Sequence, residues 1–168
     1  MYSRRVLVSL FFGLLTFLAL PVYGQNQQSS VPSPSIHLTY LTGFPLTKLG
    51  APLTIGVGAM GILPLDDRSF LALEGSVTTF ASVFVPSPTL TVGGGRNYGR
   101  FGIVLNGLYK FTPGNGDDPL THVVGGTFAP SILIVPGIRV VLPVAVTKPL
   151  WEGPVGVTLA FKVVVKAF

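Results

Sequence analysis

The sequence predicts an all-β fold: an antiparallel up-and-down transmembrane β-barrel of eight strands, preceded by a cleaved signal peptide. Three observations carry this prediction. Of 168 residues, 48% are hydrophobic and only 10% charged, whereas a soluble domain is roughly 25% charged. Apolar residues recur at every second position, in runs longer than the ~5–6 residues usual for globular strands. The few charges within those runs fall on one face. The same composition excludes disorder, which needs low hydrophobicity and high net charge. With no Cys, a disulfide scaffold, a Cys-based zinc site and a Cys-anchored lipoprotein are excluded as well.

The N-terminus reads as an export address. Arg4 and Arg5 precede an apolar run from Val6 to Leu20, and Pro21 ends any helix there. Val22-Tyr23-Gly24 then supplies small or compact residues for cleavage after Gly24. The run is shorter than the ~20 residues of a spanning helix. Residues 1–24 are therefore a signal peptide, 25–35 a polar Pro/Ser-rich leader and 36–168 the barrel domain. Two of the 11 basic residues, Arg4 and Arg5, leave with the signal, so the net charge falls from +5 to +3. A balance of that size without a basic cluster is no nucleic-acid footprint.

No helical stripe follows, and Gly and Pro are too frequent for a long helix. The first two strands are expected at 36–44 and 52–63. In the third, 69–80, Leu71, Leu73 and Val77 alternate with Ala72, Glu74, Ser76 and Thr78. A shorter fourth is placed at 88–94. The fifth, 101–111, is the clearest: Phe101, Ile103, Leu105, Tyr109 and Phe111 oppose Gly102, Val104, Asn106, Leu108 and Lys110. Strands at 121–133 and 136–147 follow, although Pro130 and Pro143 each remove a ladder hydrogen bond there. The last, 155–166, sets Val157, Leu159, Phe161, Val163 and Val165 against Thr158, Ala160, Lys162, Val164 and Lys166. Links at 45–51, 81–87, 112–120 and 148–154 alternate with shorter ones at 64–68, 95–100 and 134–135.

One face of these strands is aliphatic and aromatic, the other small and weakly polar, which suits a barrel with lipid outside. Glu74, Lys110, Arg139, Lys162 and Lys166 all lie on the less apolar face. Glu74 opposite Lys110, Arg139 or Lys162 predicts a lumen ionic network, in an interior that side chains fill in a barrel of eight strands. Phe101 at one end of its strand and Tyr109 and Phe111 at the other match interfacial aromatic girdles. Trp151, in a long link, is expected to anchor at the same interface.

On these features the sequence resembles the small eight-stranded outer-membrane β-barrel proteins of Gram-negative bacteria. The resemblance is architectural and covers most of 36–168. It implies an outer-membrane location, outer-membrane lipid as surroundings, and delivery by the barrel assembly machinery. Phe168, after an alternating strand, looks like the assembly signal of such proteins. It departs from their pattern by sharing parity with Lys162 and Lys166 instead of with the apolar face.

Candidate chemistry is sparse. Gly56-Val-Gly58-Ala-Met-Gly61 matches a dinucleotide fingerprint, but Pro64 forbids the helix that would have to follow. His37 and His122 lack a neighbouring acid in sequence, and catalytic imidazoles need both a hydroxyl and an orienting carboxylate. Asp117-Asp118 reads as a solvated loop pair. No cofactor, metal or catalytic residue is assigned, and the surface-loop partner is left unidentified. The expectation is a non-enzymatic barrel with a structural or surface-interaction role. Alternatives are a narrow outer-membrane pore, a lipid-modifying outer-membrane enzyme, and a soluble secreted β-sandwich that binds a partner.

Overall fold

The computed structural model describes residues 33–47, 53–82, 85–112 and 121–168. The signal peptide, most of the leader, and Asp117-Asp118 lie outside these residues. Among them are nine strands: β1 (Ser35–Pro45), β2 (Thr54–Pro64), β3 (Ser69–Phe80), β4 (Ser87–Tyr98), β5 (Phe101–Thr112), β6 (Thr121–Val135), β7 (Ile138–Val141), β8 (Val144–Pro149) and β9 (Gly156–Lys166). Each pairs antiparallel with its neighbours, and β9 returns to pair with β1, so the sheet closes and no edge is left.

β7 and β8 are two halves of one barrel strand. Phe128 pairs with Val144, and three residues later Ser131 pairs with Val141. The register therefore runs unbroken through the gap, and eight staves form the wall. The gap holds Leu142 and Pro143, directly opposite Pro130 and Ala129. Pro130 still accepts from Leu142 N at 2.9 Å, and Pro143 accepts from Ala160 N at 2.9 Å. Each proline lacks only the returning donor of its pair. The two prolines thus share one level of the wall, and the strands continue past them.

Following ladder partners around the wall measures its stagger. His37 leads through Met60, Glu74, Thr91, Leu108, Gly125 and Thr147 to Gly156. The circuit meets β1 again at the level of Thr47, two residues beyond the Pro45↔Thr158 pair and ten beyond its start. With a rise of ~3.3 Å and a strand spacing of ~4.8 Å, this stagger over eight staves tilts the strands by about 41°.

The links divide the two ends, which we term the turn end and the loop end. At the turn end, Gly99-Arg100 joins β4 to β5; Gly99 has φ +63°, the positive value that the first position of a type II′ hairpin requires. Pro136-Gly137 joins β6 to β7 with Gly137 at φ +85°, the Pro-Gly order of a type II turn. These tight turns correct two expected links. The stretch 95–98 is strand instead of loop, and the turn expected at 134–135 lies two residues later. Gly93 and Gly95 face inward where neighbouring backbone comes within 3 Å of where a Cβ would be, so this glycine-rich segment packs as a strand.

Candidate functional site

Alternation sends one face of every strand to the lumen. Leu38, Val57, Leu73, Val92, Leu105 and Phe128 are among the outward side chains, all exposed around the middle of the wall. Two charges on the outward face were not anticipated, because both positions were read as links. Arg96 lies near the turn end of β4 with its guanidinium 5.9 Å from the Tyr98 ring centroid, and Lys148 lies one residue before the loop end of β8. Both are at strand ends, leaving the belt between them free of charge.

Glu74, Lys110, Arg139, Lys162 and Lys166 all line the lumen. They do not form one network. Glu74 and Lys162 make an ion pair, the only one among the described residues, and both are buried. The carboxylate also accepts from Thr39 Oγ1 at 2.8 Å and Thr91 Oγ1 at 3.2 Å. Four residues on four different staves thus converge at mid-height, and the two charges have the partners that burial demands. Arg139 instead donates to Ser131 Oγ at 2.9 Å. Lys110 lies 5.7 Å from the Phe80 ring centroid. Thr39, Thr91 and Ser131 were missed: parity marks them as inward, but only the stagger shows whom they meet.

The interior is not filled, contrary to expectation. A cavity of about 620 Å³ is lined from Ser35 and Lys166 at the turn end to Thr54 and Thr147 at the loop end. Small inward residues leave this space. Gly43, Gly56, Gly58, Gly125, Ala145 and Ala160 are inward positions that send no more than a methyl group into it. Below the Glu74–Lys162 pair the lumen is tighter, with Ala129, Val141 and Val164 packed together and Met60 and Val104 against them.

The expected aromatics fall at the two ends. Phe101 is outward beside Tyr98 at the turn end. At the loop end Tyr109, Phe111 and Trp151 gather around His122. Tyr109 Oη is 2.5 Å from His122 Nδ1, and the Trp151 and Phe111 rings meet the imidazole edge-on at 5.1 and 5.4 Å. His37 is inside, 2.9 Å from Ser35 Oγ, and pairs across the ladder with Lys166. Among the described residues neither histidine has a carboxylate partner, the third member that a hydrolytic triad uses. No cluster of three His, Asp or Glu suited to a metal occurs among them either.

Phe168 resolves its own parity problem. Both Ala167 N (2.8 Å) and Phe168 N (3.3 Å) donate to Ile36 O, while Ile36 N donates to Phe168 O at 3.2 Å. Two residues opposite one define a β-bulge. The extra residue releases Phe168 from the inward parity of Lys166, and its side chain is 83% exposed.

Neither a protein-family model nor a curated protein matches the chain. Solved structures do. The chain is similar to Ail, the attachment invasion locus protein of Yersinia pestis, with TM-score 0.54 and 10% identity over 80% of this chain and 97% of that one. It is similar to the N-terminal β-barrel domain of Pseudomonas aeruginosa OprF, with TM-score 0.52 and 10% identity over 80% and 99%. The de novo designed TMB2.3 gives 0.51 and 13% over 84% and 99%. At such identities the likeness is one of fold. The fold is that of the small eight-stranded outer-membrane barrels.

Proposed function

We propose that this chain is an integral outer-membrane barrel whose role is structural or surface-interacting, and that it is not an enzyme. The observation that carries this reading is the sorting of charge on a closed wall. Between Arg96 and Lys148 the outward belt is uncharged, while every charged side chain of the mid-wall is inside. A soluble β-sandwich would place its charges outward. Lipid satisfies the belt, the closed ladder presents no open strand edge to it, and the girdles at Phe101/Tyr98 and Tyr109/Phe111/Trp151 suit the two interfaces. The exposed Phe168 supports recognition by the barrel assembly machinery.

The cavity favours a second reading, a narrow pore. Against free passage stand the Glu74–Lys162 pair at mid-height and the apolar cluster of Ala129, Val141 and Val164 on its turn-end side. One experiment separates the readings. The protein, expressed in a Gram-negative host, is recovered by envelope fractionation, run on SDS gels with and without boiling, and then placed in a planar bilayer. A heat-sensitive band in the outer-membrane fraction with no stepwise conductance is the expected result. Stepwise conductance would establish the pore, and a soluble periplasmic band without a heat shift would overturn the membrane reading.

A further inference from the structure

Charge is unevenly compensated along the lumen. The strands contribute four cations to its lining, Lys110, Arg139, Lys162 and Lys166, against one carboxylate, Glu74. Glu74 is committed to Lys162. The other lining carboxylates, Asp66 and Asp67, belong to the β2–β3 turn at the turn end. Lys110 is at the opposite end, two residues before β5 finishes at Thr112. Among the described residues no carboxylate lies within ion-pair distance of it. The Phe80 ring offers a cation–π contact, which attracts the ammonium without neutralising it.

The space beside Lys110 is open and rich in hydroxyls. Thr89 is its ladder partner on β4, and Thr147 and Thr158 line the cavity from β8 and β9. Nearer mid-height, Asn106 Oδ1 and Thr127 Oγ1, whose residues pair across the ladder, are buried without a hydrogen-bond partner, as is Asn97 Oδ1 towards the turn end. A cation with no carboxylate partner among the described residues, at the same end of the cavity as the Thr89, Thr147 and Thr158 hydroxyls, suits an oxyanion.

We propose that the loop-end half of the lumen binds a small soluble solute through a phosphate or carboxylate group, which pairs with Lys110. The inference depends on the lumen alone. Its failure would leave the membrane reading untouched, because fractionation and the heat shift test that reading separately.

The test uses the folded chain in neutral maltoside micelles, titrated with inorganic phosphate at constant ionic strength while lysine side-chain resonances are followed. A saturable shift of Lys110, with Lys162 and the outward Lys148 unmoved, is expected. Lys110→Met should weaken phosphate binding by about tenfold or more, and Lys110→Arg should largely preserve it, as a charge-assisted contact implies. The heat shift checks that each variant folds. Should Lys110→Met not fold, the Thr147→Val/Thr158→Val double variant is titrated instead and should bind more weakly. A non-saturating shift shared by Lys110 and Lys148, or unchanged affinity in the folded variants, overturns the proposal. So does binding that emerges only after Asp117 and Asp118 are changed to Asn, which would make those loop carboxylates the partners of Lys110. If a short-chain phosphatidic acid shifts Lys110 and inorganic phosphate does not, the ligand is a lipid headgroup and the soluble solute is overturned.

Discussion

At the residue scale, the Glu74–Lys162 pair sets the clearest expectation. Removing one partner leaves an uncompensated buried charge, at a cost of about 3–5 kcal/mol, whereas replacing both can be nearly neutral. Glu74→Gln and Lys162→Met should each lower stability by that order in urea unfolding from micelles, and the double variant should recover most of it. Equal and additive losses would show that the two side chains do not depend on each other. Gly93 makes a second case. A Cβ there would lie 2.0 Å from Leu105 O, a backbone atom that cannot step aside, whereas at Gly107 the nearest atom is 3.7 Å away. Gly93→Ala should cost about 1–3 kcal/mol or more and Gly107→Ala less than about 0.5, by the same unfolding measurement. Parity made the inward position of each charge legible in the sequence. Which charges meet was not legible, because face is a local property and height around the barrel is not. The ten-residue stagger is what brings residue 162 level with residue 74, and nothing near either residue encodes it.

At the scale of elements, most strands followed from alternation, and the departures have physical causes. β4 was expected to end at residue 94, with 95–100 as a link; the inward Gly93 and Gly95 are instead positions of close approach between strands. The paired prolines, each expected to remove a ladder hydrogen bond, prove to be single missing donors at one level of the wall. Restoring a donor tests this. Pro130→Val places an N–H opposite Leu142 O and a β-branched side chain towards lipid. Stability should rise by about 0.5–1.5 kcal/mol, with slow hydrogen exchange at the new amide; fast exchange would show that the ladder is open at this level. The β2–β3 turn carries a pH dependence. Asp66 Oδ1 accepts from Arg68 N at 2.7 Å and Ser69 N at 2.6 Å. These hydrogen bonds, with Arg96 nearby, hold its carboxyl below the usual carboxylate value. Because the folded value is depressed, the turn's contribution is present at neutral pH and is lost on acidification through that lowered value. An NMR titration should place the Asp66 transition below the ordinary range, with protection of the Arg68 and Ser69 amides lost alongside it. Asp66→Asn should abolish that dependence.

For the whole molecule, lipid depth becomes the relevant coordinate. Leu105 is outward at mid-strand and Leu63 is outward one residue from the end of β2. Leu105→Lys should destabilise the barrel in bilayers by about 2–4 kcal/mol and Leu63→Lys by about 0–1. Equal effects would mean that the strands do not cross lipid in the orientation described. Closure itself was only partly legible. An even strand number and the lack of a polar outer face implied a barrel, while the hollow lumen depended on how many inward positions carry no more than a hydroxymethyl or methyl group.

The stagger of the ladder also fixes a thickness. Tilted by about 41°, an 11-residue strand such as β2 rises only about 27 Å along the barrel axis at ~3.3 Å per residue. That matches the ~25 Å apolar band of outer-membrane barrels and falls short of the ~30 Å hydrocarbon core of an average bilayer. The wall is therefore a gauge for thin membranes. In a thicker bilayer, lipid would have to compress around it or the polar ends of its strands would be drawn into hydrocarbon, so acyl-chain length alone should govern how readily the chain inserts and stays folded.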